Sequence, residues 1–149
     1  MALTATPVFP QAPKSWQAAL LSTTGAYTFV ASTSTASGRV TLITAGANGT
    51  LVEGITITSS DSATKDLQLI ILNSVDYIVT TLNIPANSGF TNSVIPVDLF
   101  RSSQVPGLGY DVNGNRFLYL PSGSSLCVAT TAALTAAKQI SVIAIGADF

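Results

Sequence analysis

Apolar and polar residues alternate in short bursts along most of this chain, and each burst ends on turn formers. Asp66-Leu67-Gln68-Leu69-Ile70-Ile71-Leu72 puts Leu67, Leu69 and Ile71 on one face, the period-two signature of a half-buried strand. Residues 40–44, 51–59 and 76–84 are rich in β-branched side chains and predict strands by propensity. Asn48-Gly49 predicts a tight turn between the first two of these. Gly54 breaks the alternation of Val52, Ile55 and Ile57, where a bulge is expected. Residues 16–21, 117–120, 126–130 and 139–145 complete the strand series, and 27–30 adds a short β-prone run. The last strand is apolar on both faces, as a central or covered strand should be. Residues 98–103 are the clearest short helical candidate. Residues 132–137 read as a loop.

Eight to ten short strands, about 8–15 residues apart and without a long amphipathic helix between them, make a sandwich or barrel pattern. The expectation is an all-β, two-sheet β-sandwich, jelly-roll-like. Ahead of it, Pro7, Pro10 and Pro13 recur at three-residue spacing. Proline fixes φ and pushes the preceding residue toward extended geometry. Residues 1–14 are therefore expected to be an extended N-terminal arm, and residues 15–149 a single β-sandwich domain. The arm carries Val8 and Phe9, apolar side chains that want a groove.

Composition narrows the partners. Charged residues are 9% of the 149, against about 25% in an ordinary domain. The polar surface must come from Ser, Thr, Asn and Gln, which cost far less to desolvate than ions. Six basic and seven acidic residues are spread along the chain for a net charge of −1. No basic run exists to neutralise phosphates, so neither nucleic acid nor a membrane surface is an expected partner. Residues 1–7 have no basic and long apolar stretch of the signal-peptide kind, so synthesis and folding in a cytoplasm are expected.

Candidate chemistry is sparse. There is no histidine and one cysteine, Cys127, which reads as a small buried hydrophobe. A Ser-His-Asp or Cys-His nucleophile cannot be built, nor a thiolate metal cluster. Of the seven acids, most sit at turn signals, where Asp bonds to nearby backbone. Asp111-Val112-Asn113-Gly114-Asn115 imitates the start of a calcium loop, yet Arg116 and Ser122 stand where glycine and glutamate are needed. A hairpin turn at Asn113-Gly114 is the favoured reading. Gly107-Leu108-Gly109 lacks the third glycine of a dinucleotide site. No enzyme activity, cofactor, metal site or catalytic residue is expected. Trp16, Tyr27, Tyr77, Tyr110 and Tyr119 are expected mostly in the core, with Phe9 and Trp16 the ones to watch as exposed contacts.

The segments Thr6-Pro7-Val8-Phe9, Pro13-Lys14-Ser15-Trp16, Thr44-Ala45-Gly46-Ala47-Asn48-Gly49-Thr50, Ile84-Pro85-Ala86-Asn87-Ser88-Gly89, Leu118-Tyr119-Leu120-Pro121-Ser122-Gly123 and Ala144-Ile145-Gly146-Ala147-Asp148-Phe149 together resemble the capsid decoration (cement) proteins of tailed bacteriophages. The likeness is one of layout, and residues 25–38 fit it least. It implies a structural virion protein, made in the host cytoplasm and located on the capsid exterior. There it would bind the major capsid protein, bridge and stabilise neighbouring subunits, and pair with itself as a dimer or trimer. Pro7, Val8, Phe9, Pro10, Pro13, Lys14 and Trp16 are the expected protein-interaction residues. The alternatives are another virion component (a tail or fibre module) and a carbohydrate-binding β-sandwich.

Overall fold

The computed structural model describes residues 12–29, 37–102, 105 and 108–149. Pro7, Val8, Phe9 and Pro10 lie outside the described residues. Ten strands follow in order: β1 (Ala12–Leu21), β2 (Arg39–Thr44), β3 (Thr50–Ser59), β4 (Lys65–Asn73), β5 (Val75–Ile84), β6 (Val97–Asp98), β7 (Gly109–Tyr110), β8 (Arg116–Leu120), β9 (Ser125–Thr130) and β10 (Gln139–Asp148). The described residues contain no helix. The strands form two antiparallel sheets. One runs β1-β10-β3-β8-β7, with β6 also on β3, and the other runs β2-β9-β4-β5.

The core lies between the sheets and is built by alternation. Ala18 and Leu20 of β1, Ile140, Val142 and Ala144 of β10, and Val52, Ile55 and Ile57 of β3 point inward. They meet Leu42 and Ile43, Leu67 and Leu69, Leu82 and Ile84, and Leu126 and Val128 from the other sheet. Each such side chain contributes about 1.5–3 kcal/mol when fully buried, so a single continuous core of this kind needs no covalent staple.

Bulges adjust this alternation. In the β3–β10 pairing Ile145 faces Gly54 and Gly146 faces Val52, which leaves Glu53 as the extra residue beside the glycine predicted to mark a bulge. On β2, Thr41 faces Cys127 and Ile43 faces Leu126. The extra Leu42 explains why two successive residues, Leu42 and Ile43, are both buried.

Two expectations change. Residues 27–29 are not a strand. Instead Tyr27 donates its backbone N–H to Thr130 O and lays its ring on the outside of the second sheet. The helical candidate at 98–103 is one turn only: Asp98 belongs to β6, and Ser102 N–H reaches back to Asp98 O and Leu99 O. A single turn fixes several dihedrals for one hydrogen bond and is costly alone. Here it is held by burial of Leu99 and Phe100 and by the Asp98 carboxylate, which accepts from Phe100 N and Arg101 N. Of the residues assigned to the arm, Pro13 and Lys14 lie within β1, opposite Ala147 and Gly146.

Candidate interaction face and polar cleft

The two sheets differ on their outer sides. On the second sheet, Ile70, Cys127 and Ala129 point outward yet are fully buried, because the chain after β1 crosses over them. Tyr27 packs there, and its hydroxyl donates to Asp76 Oδ2 at 2.8 Å. Arg39 Nη1 donates to the same oxygen at 2.6 Å. Burial, then the hydrogen bond and charge of Asp76, push the Tyr27 phenol up to about 12. Burial also raises the Cys127 thiol, although bonding to Thr41 and the charge of Arg39 pull the other way. That makes Cys127 an inert packing residue, as read from the sequence.

Among the described residues, nothing covers the outer side of the first sheet. Register places Ala19, Ser141 and Thr58 in one row, Gln17, Ile143 and Thr56 in the next, and Ser15, Ile145 and Gly54 in a third. Leu21 and Gln139 close the row at one end. None of these residues is charged. Ile143 is 45% exposed and Ile145 54% exposed, on β10, which lies between β1 and β3. The sequence expects β10 to be central or covered; it has a partner strand on each side, and none of the described residues covers its outer side. An antiparallel sheet that meets water on one side normally carries polar side chains there. The face continues toward Phe90, which shares a depression of about 230 Å³ with Thr58, Ser141, Gln139 and the basic Lys138, and Phe90 and nearby Ile95 are both exposed.

Past β3 the same outer side ends in a polar cleft. β3 changes partner along its length: Thr56 and Ile57 pair with β6, and Thr50, Leu51 and Val52 pair with β8. The bulged Glu53 falls in the gap between the two partners. A cavity of about 530 Å³ opens there, lined by Glu53, Asp98, Phe100, Arg101, Tyr110, Gly114, Asn115 and Arg116. A second, of about 300 Å³, shares Glu53, Asn115 and Arg116 with it and adds Leu51, Asp111 and Phe117. Two of the chain's six basic residues and three of its seven acidic ones thus meet in one place.

The cleft side chains are held in position. Arg116 Nη1 donates to Phe100 O and Ser102 O at 3.1 and 3.2 Å, its Nε donates to Tyr110 Oη at 3.1 Å, and its guanidinium sits 5.6 Å from the Tyr110 ring centroid. Asp111 accepts from Asn113 N and Asn115 N, and from Asn115 Nδ2. The bonds from Asn115, side chain first and then backbone, hold the Asp111 carboxyl below its ordinary value. The Asp111–Asn115 segment is therefore a self-bonded hairpin turn, as expected. Among the described residues, no group of three or more His, Cys, Asp or Glu is placed to hold a metal, and no helix is long and apolar enough to cross a membrane.

The acids elsewhere tie loops to strands. Asp61, fully buried, accepts from Ala63 N, Thr135 N and Thr135 Oγ1. Burial alone would raise its pKa, but the bonds from Thr135 and Ala63 and the charge of Lys65 bring it below the ordinary value. Asp148 pairs with Lys14 and accepts from Thr50 Oγ1, and these bonds, Lys14 first, lower it.

Of the expected contact residues, Trp16 faces inward with Ala18 and Leu20 and packs against the core, and Lys14 is engaged by Asp148. The aromatic residues divide. Trp16 and Tyr27 are half-buried, whereas Tyr77, Tyr110 and Tyr119 are exposed rather than in the core. Sequence reasoning noticed Tyr110 but missed Glu53, Asp98, Asn115 and Arg116 as its neighbours. Asn115 and Arg116 lie on the Asn113-Gly114 hairpin that pairs Tyr110 with Arg116, whereas Glu53 and Asp98 arrive from β3 and β6, which no local spacing signals. No protein-family model, curated protein or solved structure matches this chain.

Proposed function

We propose that this protein is a non-catalytic structural virion component. In this reading it binds the outside of a capsid, where it bridges and stabilises neighbouring major capsid subunits and associates with further copies of itself. The observation that carries this is the uncharged outer face of β1, β10 and β3, which none of the described residues covers, with Ile143 and Ile145 half-exposed on β10 between the other two. Covering the exposed half of each isoleucine is worth about 1 kcal/mol, and the Ser, Thr and Gln around them desolvate cheaply. Three strands about 4.8 Å apart over six residues present roughly 300 Å² in projection. A standard interface takes about 800 Å² from each partner. The face alone is too small, so the reading also needs the Phe90 side and residues 1–11, where Pro7, Val8, Phe9 and Pro10 stand, to reach a second subunit by strand addition or groove filling.

The strand orders β1-β10-β3-β8 and β2-β9-β4-β5 support the finer reading of the sandwich as a jelly roll, an architecture used by capsid and lectin domains. Fold alone does not imply function, and the weight rests on the face.

The test is co-sedimentation with undecorated capsid shells. The double variant Ile143→Lys/Ile145→Lys changes exposed residues and is expected to keep its stability within about 0.5 kcal/mol. Its retention on shells is expected to fall at least about tenfold, because burying two lysines costs more than the face returns. Deletion of residues 1–11, which leaves β1 whole, is expected to weaken binding as well. Retention of the double variant equal to that of the parent overturns the assignment of this face.

A further inference from the structure

The cleft beside the uncharged face has a chemistry that adhesion through neutral contact does not use. In a chain this poor in charge, five ionic side chains, an amide and an exposed tyrosine converge where β3 changes partner. Ligand sites are typically concave, about 300–1,000 Å³, with a few fixed polar groups, and the cavity of about 530 Å³ falls in that range.

We infer that this cleft binds a neutral oligosaccharide, with Tyr110 as the apolar platform and Glu53, Asp98, Asn115 and Arg116 as partners for sugar hydroxyls. Charge balance selects the class. An anionic ligand approaching Arg116 meets the carboxylates of Glu53 and Asp98 within the same lining. A cationic one approaching Glu53 meets Arg101 and Arg116. A polyol, whose every hydroxyl both donates and accepts, uses the two kinds of group side by side. Charged groups also make the stronger hydrogen bonds to neutral partners.

The site is built before any ligand arrives. Arg116 is anchored by two backbone carbonyls and by Tyr110 Oη, so little rotamer freedom is left to lose on binding. Tyr110 is 62% exposed, which leaves most of its ring open to stack on the apolar face of a sugar. Glu53 makes no hydrogen bond or ion pair among the described residues. It is the bulged residue of β3, and bulges re-aim side chains next to sites. This inference does not depend on the capsid reading: the cleft and the uncharged face share no side chain.

The experiment uses the full chain and titrates it, by NMR and calorimetry, with neutral hexaoses of glucose, mannose, galactose and N-acetylglucosamine. Oligogalacturonate and chitosan of equal length serve as the anionic and cationic probes. At least one neutral hexaose is expected to bind with Kd of about 1 mM or tighter and to shift the Arg116 Nε–H resonance. Tyr110→Ala and Glu53→Ala, both at exposed positions, are each expected to weaken it by about tenfold. Ile143→Lys, on the neighbouring face, is expected to leave it unchanged. Absence of binding by all four neutral hexaoses overturns the inference. So does tighter binding of either charged probe, or full affinity in either cleft variant.

Discussion

Tyr27 shows what one hydroxyl does for the outer side of the second sheet. Its ring covers Ile70, Cys127 and Ala129, and its hydroxyl donates to an Asp76 oxygen that also accepts from Arg39. Ionising that hydroxyl would set a phenolate against a carboxylate in a partly desolvated site, which is why its pKa stands at about 12 against an ordinary 10.0. The folded pKa is raised, so the contribution to stability is complete below pH 10. It declines as pH rises, because the unfolded chain releases its proton first, and it is gone above about 12. Spectrophotometric titration of the native protein should show a tyrosinate that forms only near pH 12. Tyr27→Phe should remove that step and flatten the decline in stability between pH 10 and 12. A late step that persists in Tyr27→Phe would place it on another tyrosine.

Among the elements, β3 and β10 depend on each other through one missing side chain. A Cβ on Gly146 would lie 2.0 Å from Leu51 O and 3.0 Å from the Val52 Cα, just where the extra residue of the bulge brings β3 close. Backbone cannot swing aside as a side-chain tip can. Gly146→Ala is therefore expected to destabilise the protein by about 3 kcal/mol or more and to disturb the bulge that sets Glu53 in the cleft. Gly114 makes the contrast. A Cβ there meets nothing within 4 Å, but φ is +82°, so Gly114→Ala should cost only the left-handed penalty of about 1–2 kcal/mol. Urea unfolding of the two variants checks the order, and equal costs would show that the close approach at Gly146 relaxes freely. The same element explains why Asp98 reads as a helix start and ends in a strand. Its carboxylate caps one turn, while Leu99 N–H bonds to Ile55 O and ties the segment to β3 before a second turn can form.

At the scale of the whole molecule, the asymmetry of the two sheets is the main fact. Residues 22–29 cover the second sheet, and none of the described residues covers the outer side of the first. An uncharged contact surface has a measurable consequence. Ion-pair interfaces weaken as salt shortens the Debye length from about 14 Å at 0.05 M to about 4 Å at 0.5 M, whereas neutral contact does not. On the proposed reading, binding to capsid shells is therefore expected to change less than about threefold between 0.05 and 0.5 M salt. A tenfold loss over that range would mean that the scattered charges, such as Lys138 beside Gln139, carry the contact instead. Oligosaccharide binding in the cleft should be distinguishable from it, since Tyr110→Ala touches only the cleft and Ile143→Lys only the face.

By itself the sequence determined the longer strands and the all-β class. Period-two alternation, the Asn48-Gly49 turn and the Gly54 bulge are local, and local patterns act before any distant residue is in place. The lack of histidine and of a second cysteine is equally visible in one dimension. Tertiary structure decided which faces are buried. Cys127 and Ile143 both sit in apolar strands, yet one is sealed under Tyr27 and the other is left uncovered by the described residues, because residues 22–29 cross the second sheet. Only the folded chain brought Glu53, Asp98, Tyr110, Asn115 and Arg116 into one cleft. Tyr110, Asn115 and Arg116 share one local hairpin, but Glu53 and Asp98 join them through a change of pairing partner along β3, and pairing between strands far apart in sequence leaves no mark in the spacing of the residues it unites.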